Sequence, residues 1–369
     1  MKRFVDNWQI INAFLIWRAG LFLAAVLATL TLPLRMDYLG IEFAKVSFLP
    51  VLWPWANFDG YHYLSIATSG YNQFQYAFFP GYPMLVSLVN RLIPDLLTIG
   101  FLISNIATIA LLLVIYKLWS LDYGNAVVKR AILIFLAFPT TFYLGSVYTE
   151  ALFLLLACGS LLAARKNNFL LSGILGGLAS ASRLVGIFLF PAMLIIWWYS
   201  QRRKQDLGYL LAIPLGLLAV MGYNYLQTSD PLYFFHVQPS FGANRSGREI
   251  ILLPQVIFRY LKIFITVSPV SLTFFNALLE FVMTIGSLLL LVFAYRKVNL
   301  AYLVFAAGCI VLPALTGTLS SMPRYVLVAF LCFPALVLFL GKYYRLVMAI
   351  FLIIQVVLVA LFTRGYWVA

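Results

Sequence analysis

Asp59 lies in the segment WANFDGYHYLSIATSGY, residues 55–71, which is too polar to cross a bilayer in an otherwise apolar chain. Its carboxylate could act as a general base that removes a proton from a hydroxyl group. Tyr61, His62 and Tyr63 follow within one helical turn and offer ring faces with polar tips, which suit a sugar. The structural alternative is a helix N-cap, a position that aspartate also favours.

Glu150, in FPTTFYLGSVYTEALFLLL, is the second candidate acid. The predicted topology puts it at the outer end of a span, at about the depth of Asp59. An ionised side chain near hydrocarbon costs about 2.5–3.5 kcal/mol or more, so such residues usually have a partner and a purpose. The structural alternative is a glutamate that the helix dipole favours in the first turn.

Four arginines are expected at the same outer face. Arg183 and Arg324 lie at the ends of spans, and Arg245 and Arg248 lie in the second outer loop, in PSFGANRSGREI. The planar fork of a guanidinium matches phosphate, so their convergence predicts a site for an anionic ligand. Each could instead snorkel to lipid headgroups, Arg324 in particular. His236, in YFFHVQPSFG, is either a substrate-binding residue or an ordinary loop residue.

Several common sites are missing from the sequence. It has no Walker loop, no GxGxxG opening a βαβ unit, no HExxH and no serine nucleophile elbow. An activated substrate is therefore expected to come from within the membrane, and a polyprenyl-phosphate sugar fits. We predict no cofactor and no metal ligands: two outer acids leave room for a divalent cation, but no ligand cluster requires one.

Composition sets the class of protein. Of the 369 residues, 64% are hydrophobic and 10% are charged, and the mean hydropathy is +0.98. A soluble domain is nearer half apolar and a quarter charged. Windows of 18 or more apolar residues recur along the chain, which indicates transmembrane helices. We therefore predict an all-α polytopic protein, with residues 1–369 forming a single integral membrane domain in a lipid bilayer. Cys158, Cys309 and Cys332 have no pairing or metal spacing and are expected to be small core residues.

About eleven spans are predicted, the first of them an uncleaved N-terminal helix. Two long outer loops separate them, at residues 34–95 and 227–271, and residues 78–94 are expected to form a juxtamembrane helix. The spans lie near residues 10–33, 96–118, 128–147, 149–164, 168–184, 186–200, 207–226, 272–294, 299–318, 323–341 and 346–363.

The net charge of +14 would suggest a nucleic-acid partner in a soluble chain, but here the positive-inside rule explains it, so no nucleic acid is predicted. With the N-terminus inside, the cytoplasmic segments hold fourteen of the 25 lysines and arginines. The loops with Asp59 and Arg245 then face away from the cytosol. The cytoplasmic segments are residues 1–3, 116–130, 164–168, 199–206, 295–299 and 341–345.

The order of four motifs resembles a known family. A first span is followed by FDGYHYLSIATSGY, YAFFPGYP, FPTTFYLGSVYTEALF and GGLASASRLVGI. This order resembles the PIG-V family, the relatives of GPI mannosyltransferase II within the GT-C class of polyprenyl-phosphate-dependent glycosyltransferases. The resemblance covers about the first 190 residues, and the second half is similar mainly in hydropathy. Asn57 and Phe58 stand where eukaryotic members commonly have an Arg-Trp pair, and the shorter chain is more typical of prokaryotic relatives.

The resemblance implies a GT-C-type fold and an inverting glycosyltransferase, with mannose as the sugar. The donor would be a polyprenyl-phosphate sugar, and the acceptor a hydroxyl of a lipid-linked or other glycan. Asp59 would be the base, Arg183 or Arg245 would neutralise the phosphate leaving group, and Glu150 would bind sugar hydroxyls or place the acceptor. The site would lie on the non-cytoplasmic face of a prokaryotic cytoplasmic membrane, or of the endoplasmic reticulum membrane in a eukaryote.

Two other functions remain open from the sequence. A lipid or sugar-lipid transporter would need polar or broken helices around a site at the membrane midplane, whereas the polar residues here gather at one face. Arg18, inside the first span, is the exception and has no explanation in the sequence. The second alternative is a subunit that has the GT-C fold without catalytic activity.

Overall fold

The computed structural model describes residues 2–35, 39–200, 203–330 and 332–368. Within these ranges the chain is helical apart from turns, short 3-10 segments and one isolated bridge between Ile251 and Thr316. Residues 36–38 of the first predicted loop and residues 201–202 of a basic segment lie outside the described residues. The helices are α1 (Lys2–Thr31), α2 (Ile41–Ala44), α3 (Asp59–Ser69), α4 (Gly81–Asn90), α5 (Leu96–Trp119), α6 (Asn125–Ala137), α7 (Glu150–Arg165), α8 (Phe169–Ser182), α9 (Leu189–Trp198), α10 (Lys204–Leu210), α11 (Ala212–Thr228), α12 (Tyr233–His236), α13 (Leu253–Thr266), α14 (Leu272–Ala294), α15 (Leu300–Ala314), α16 (Met322–Val328), α17 (Cys332–Leu340) and α18 (Tyr344–Thr363).

Five helical stretches of the described chain are long and apolar enough to cross a membrane. Shorter apolar helices accompany them at Phe169–Ser182, Leu184–Trp198 and Leu300–Ala314. The protein is therefore an integral membrane protein, as predicted, although this count does not establish eleven spans. The five are Asn7–Thr31, Leu96–Trp119, Lys204–Thr228, Leu272–Ala294 and Cys332–Thr363.

Proline interrupts several of the predicted spans. In α9, α11 and α17 the third residue is a proline, Pro191, Pro214 and Pro334. Proline is tolerated in the first turn of a helix, but its ring clashes with the backbone of a preceding helical turn. A new helix therefore starts near each of these prolines. The predicted single helix at 323–341 is wrong for this reason, because α16 and α17 form separately, with residue 331 outside the described part. The predicted helix at 128–147 is also wrong: α6 ends just before Pro139, and a 3-10 segment, Thr141–Gly145, follows.

The two long loops that the sequence analysis predicts to be outer loops, residues 34–95 and 227–271, contain short helices, as predicted. The first holds α2, α3 and α4, and α4 covers most of the predicted juxtamembrane helix at 78–94. The second holds α12 and α13. Helix α13 buries Val256 and Tyr260, while Phe258, Leu261 and Ile265 remain exposed. Such a helix suits the boundary between membrane and water, where one face can contact apolar surroundings.

Glycines allow α8 and α11 to approach closely. A Cβ added at Gly177 of α8 would lie 2.7 Å from the backbone oxygen of Ala212, and one added at Gly216 would clash with the oxygen of Gly177. Small residues commonly permit such close backbone packing between membrane helices. The crossing fixes α8, whose last turn leads directly into Arg183.

Arg18 now has a structural explanation. Its Nη2 donates to the backbone oxygen of Gly145 at 2.8 Å, an oxygen that also accepts from Asn105 Nδ2 at 3.2 Å. Thr108 donates to the oxygen of Leu144 at 2.7 Å. These side chains of α1 and α5 hold the 3-10 segment that leads to α7. The guanidinium of Arg18 is stabilised by cation–π contacts with the rings of Trp55, Phe22 and Phe101, at 3.9, 4.7 and 4.8 Å.

Candidate active site

Hydrogen bonds of Asn57 fix the turn that precedes Asp59 and places its side chain. The buried Asn57 donates through Nδ2 to the oxygen of Phe362 at 3.0 Å and accepts from the backbone N–H of Gly40 at 3.0 Å. Phe58 follows with φ of 56°, a conformation that a bulky residue rarely adopts. Asp59 is the first residue of α3, and the N-cap position falls on Phe58, which makes no side-chain cap bond. The N-cap interpretation of Asp59 is therefore wrong.

An ion-pair cluster joins four separate parts of the chain. Arg324 Nη1 contacts Asp59 Oδ2 at 2.7 Å. The Nε and Nη2 groups of Arg324 donate to Glu150 Oε1 at 2.9 and 2.7 Å. Arg183 Nη1 contacts the same oxygen at 2.7 Å. One guanidinium thus links the two acids that the sequence analysis identified, and the snorkelling interpretation of Arg324 is wrong.

Glu150 is the most deeply buried member of this cluster and has no contact with solvent. It is fully buried at the start of α7, and its partners Arg183 and Arg324 are also largely buried. Removing one partner from a buried ion pair leaves an uncompensated charge and costs about 3–5 kcal/mol. The position favours a carboxylate that holds the two arginines, whereas contact with sugar hydroxyls, as implied by the resemblance, would require a more open side chain.

A cavity of about 510 Å³ adjoins the cluster. This volume is within the range of small-molecule sites. Asp59, Tyr63, Arg183, Arg245 and Arg324 line it. Asp59 uses Oδ2 for Arg324, and Oδ1 accepts no bond from any residue in the described part of the chain. That oxygen is therefore available to a ligand. The other lining residues are Ala77, Phe78, Phe79, Thr149, Ser182, Leu184, Val185, Phe234, Phe235, Gln238, Phe241, Ala243, Leu312, Pro313, Thr316, Ser320, Ser321, Tyr325 and Trp367.

Arg245 reaches the cavity from the second outer loop. Its guanidinium donates to Gln238 Oε1 at 3.4 Å, Ser320 Oγ at 3.3 Å and Ser321 Oγ at 3.5 Å. These partners are neutral, and among the described residues no carboxylate forms an ion pair with it. The acids Asp59 and Glu150 are already matched by two arginines. The charged residues that line the cavity, Asp59, Arg183, Arg245 and Arg324, therefore carry a net positive charge, which favours an anion.

The chain also matches a known family. Residues 28–196 match the family model described as Mannosyltransferase (PIG-V). This stretch of the chain is PIG-V-like. The resemblance stated from the motifs is confirmed there, and it supports a membrane-bound glycosyltransferase. No curated protein matches the chain. The PIG-V-like stretch includes Asp59, Glu150 and Arg183, whereas Arg245 and Arg324 complete the site from beyond it.

Four other predicted site residues lie away from the cavity wall. Tyr61 packs its ring against Phe43, with centroids 5.7 Å apart. His236 Nδ1 contacts Asp230 Oδ2 at 2.6 Å. The other two are His62, which is buried behind the wall, and Arg248, which is exposed in the second loop.

His62 belongs to an aromatic seam between the two outer loops. We use this name for His62, Phe74 and Phe78 of the first loop together with Phe241 of the second. The His62 and Phe78 rings stack at 5.2 Å, and the edge of Phe241 meets Phe74 at 5.9 Å and Phe78 at 5.5 Å. Burial lowers the pKa of His62 below its ordinary value, and the charge of Asp59 acts in the opposite direction. His62 therefore favours the neutral form and serves packing.

The described residues contain no group of three or more His, Cys, Asp or Glu side chains that could hold a metal ion. The arginines occupy the positions near the two acids where a cation would otherwise bind. The three cysteines are buried, in agreement with the prediction that they are core residues.

Proposed function

We propose that this protein is an inverting mannosyltransferase that moves mannose from a polyprenyl-phosphate donor to a hydroxyl of a lipid-linked or other glycan acceptor. One observation carries the proposal. The cavity presents a carboxylate oxygen of Asp59 for a proton and the guanidinium of Arg245 for a phosphate. The apolar rings in its wall suit the flat faces of a sugar and the start of a lipid chain.

The reaction follows from these groups. Asp59 takes the proton of the acceptor hydroxyl, whose oxygen attacks the anomeric carbon as the carbon–oxygen bond to the phosphate breaks. The phosphate leaves with the bonding electron pair and needs neutralising charge more than a proton, so one carboxylate suffices. Arg245, with help from Arg183, supplies that charge, a form of electrostatic stabilisation that often dominates catalysis. Inversion requires the base and the phosphate-binding group on opposite faces of the sugar.

Arg324 and Glu150 act as supports in this scheme. Arg324 orients Asp59 by binding Oδ2, which directs Oδ1 to the cavity. Glu150 binds Arg324 and Arg183 from the buried side, away from the cavity lining. Charged groups held rigidly in advance lower the barrier because they need not reorganise during the reaction.

The activity test is direct. Purified protein is incubated with a panel of polyprenyl-phosphate sugars and a glycolipid acceptor, and the glycan products are analysed by mass spectrometry. We expect transfer from the mannose donor, with inverted configuration and with the same rate in EDTA. Transport of the intact lipid into sealed vesicles without transfer would favour the transporter alternative. Binding without either activity would favour a non-catalytic subunit.

The same proposal places the cavity on the non-cytoplasmic face, because the basic segments lie at the opposite ends of the helices. Cysteine at Asn72, in the first outer loop, should react with a membrane-impermeant thiol reagent added to intact cells. Cysteine at Lys166, in a basic segment, should react only after lysis. The native cysteines are buried and leave little background. The reverse labelling pattern would invert the topology.

Arg245→Ala should weaken binding of polyprenyl phosphate by about 10- to 100-fold, because a hydrogen bond to a charged group contributes about 1.5–3 kcal/mol. Lysine should restore binding only in part, because it lacks the bidentate fork. Arg248→Ala is the matched control from the same loop and should bind normally. Binding is measured by native mass spectrometry of the detergent-solubilised protein. Equal affinity in the wild-type, Arg245→Ala and Arg248→Ala proteins would exclude Arg245 from the phosphate site.

A further inference from the structure

Glu280 is an acid inside a membrane-spanning helix. It lies on α14, is 5% exposed, and has no role in the scheme above. Its Oε2 accepts from the hydroxyl of Tyr260 on α13 at 2.5 Å, and its Oε1 accepts from the backbone N–H of Ser321 at 3.3 Å. An ionisable residue at such a place is costly and usually serves a function.

The two side chains hold the turn that connects α15 to α16. The Tyr260 hydroxyl also accepts from the backbone N–H of Leu319 at 3.1 Å, so the pair binds two amides of this turn. Ser321 has φ of 66°, in the left-handed region that side chains other than glycine rarely adopt. Such a conformation persists only where neighbouring contacts impose it. Glu280 and Tyr260 supply those contacts.

This turn contacts Arg245 and leads into Arg324, two of the arginines that line the cavity. The hydroxyls of Ser320 and Ser321 accept from Arg245 at 3.3 and 3.5 Å. Arg324, which binds Asp59, follows three residues later on α16, and its backbone N–H donates to the oxygen of Ser321 at 3.0 Å. A shift of the turn would therefore move both arginines at once.

We propose that Glu280 and Tyr260 are positioning residues that fix the turn at 318–321 and, through it, the separation between Arg245 and Arg324. In the proposed reaction, on which the catalytic consequence rests, this sets the leaving phosphate relative to the base Asp59. A pair required only for packing would be better served by apolar side chains, because replacement of a buried polar pair by hydrophobic residues is often neutral or stabilising.

Hydrogen exchange tests the positioning role without any need for activity. The backbone amide of Leu319 should exchange about three- to tenfold faster in Tyr260→Phe, and that of Ser321 in Glu280→Leu, because each substitution removes the acceptor of that amide, a hydrogen bond of about 0.5–1.5 kcal/mol. Thr284→Val is the matched control: it lies one turn along α14, and its hydroxyl donates to the backbone oxygen of Glu280, at 2.6 Å. Unchanged exchange in both test variants, or an equal change in the control, would overturn the proposal.

A double-mutant cycle separates positioning from general stability. Transfer is measured for Tyr260→Phe, Arg245→Ala and the double variant. If Tyr260 acts through the turn that binds Arg245, the double variant should lose at least threefold less activity than the product of the two single losses. Multiplicative losses would leave Tyr260 a structural residue. A wild-type protein that transfers no sugar would refute the proposed function instead, and the exchange result would still decide whether the pair fixes the turn.

Discussion

Asp59→Asn should reduce sugar transfer by about 10²–10⁴-fold, the usual contribution of a general base. The amide keeps the shape of the side chain and can still accept a hydrogen bond from Arg324. It cannot take a proton from the acceptor hydroxyl. The protein should therefore fold and bind polyprenyl phosphate normally while transfer is lost, which is measured as initial rates at saturating donor.

Asp95→Asn is the matched control for this substitution. Asp95 lies at the end of the first outer loop and is a true N-cap, because its carboxylate accepts from the backbone N–H of Thr98 at 3.0 Å. Asparagine caps about as well as aspartate. It cannot also keep the bond that Asp95 Oδ2 accepts from the backbone N–H of Phe48 at 2.7 Å, but neither residue lines the cavity, so this variant should retain transfer. A folded Asp59→Asn protein with near-normal turnover would refute the proposed mechanism.

Arg324→Gln should combine a large loss of stability with a large loss of transfer. It leaves Glu150 buried with Arg183 as its remaining ion partner and leaves Asp59 without one, at a cost of about 3–5 kcal/mol. Transfer should fall by about 10²–10³-fold, as when a preorganised donor is removed from an active site. Lysine should rescue little, because a single ammonium group cannot span both acids in the geometry of the fork.

Thermal unfolding in detergent and transfer assays at low temperature measure the two losses separately. Arg165→Gln provides the comparison, because Arg165 binds Asp122 through two N–H groups at 2.9 and 2.8 Å in a partly exposed pair. Exposed pairs contribute about 0–1 kcal/mol, and Arg165 also donates to the Tyr302 hydroxyl at 2.6 Å, a bond of about 0.5–1.5 kcal/mol. This variant should therefore lose less stability than Arg324→Gln. Equal stability of Arg324→Gln and Arg165→Gln would show that the cluster is not a buried unit.

The acids and arginines of the cluster were predictable because charged residues are rare in this chain. Asp59, Glu150 and Arg183 stand out against long apolar runs, and the direction of each span assigns them to one face. Their contacts were not predictable. Arg324 lies 265 residues from Asp59, and only the packing of α16 against the other helices brings the two together.

Other features of the structure were not predicted from the sequence, for identifiable reasons. Hydropathy reports the apolar length of a segment but not its continuity, so the helix start imposed by Pro334 was missed. Glu280 appears in the sequence as a lone acid inside an apolar span, which is itself a signal, but the turn at 318–321 that it contacts could not be inferred from hydropathy. Tyr61, His62 and Tyr63 share one helical turn, yet only Tyr63 lines the cavity. Composition alone could not show which faces of α3 would be buried against neighbouring parts of the chain and which would face the cavity.

The aromatic seam has a consequence for the temperature dependence of any separation of the two loops. Separating Phe241 from Phe74 and Phe78 would expose apolar ring surface, and such exposure carries a positive heat capacity change. The enthalpy of opening must then rise with temperature, so the equilibrium between closed and open loops cannot follow a straight van 't Hoff line. Ion-pair contacts such as that of Arg324 with Asp59 bury little apolar area and impose no such curvature. Separation of the seam would therefore respond to warming differently from separation of that ion pair.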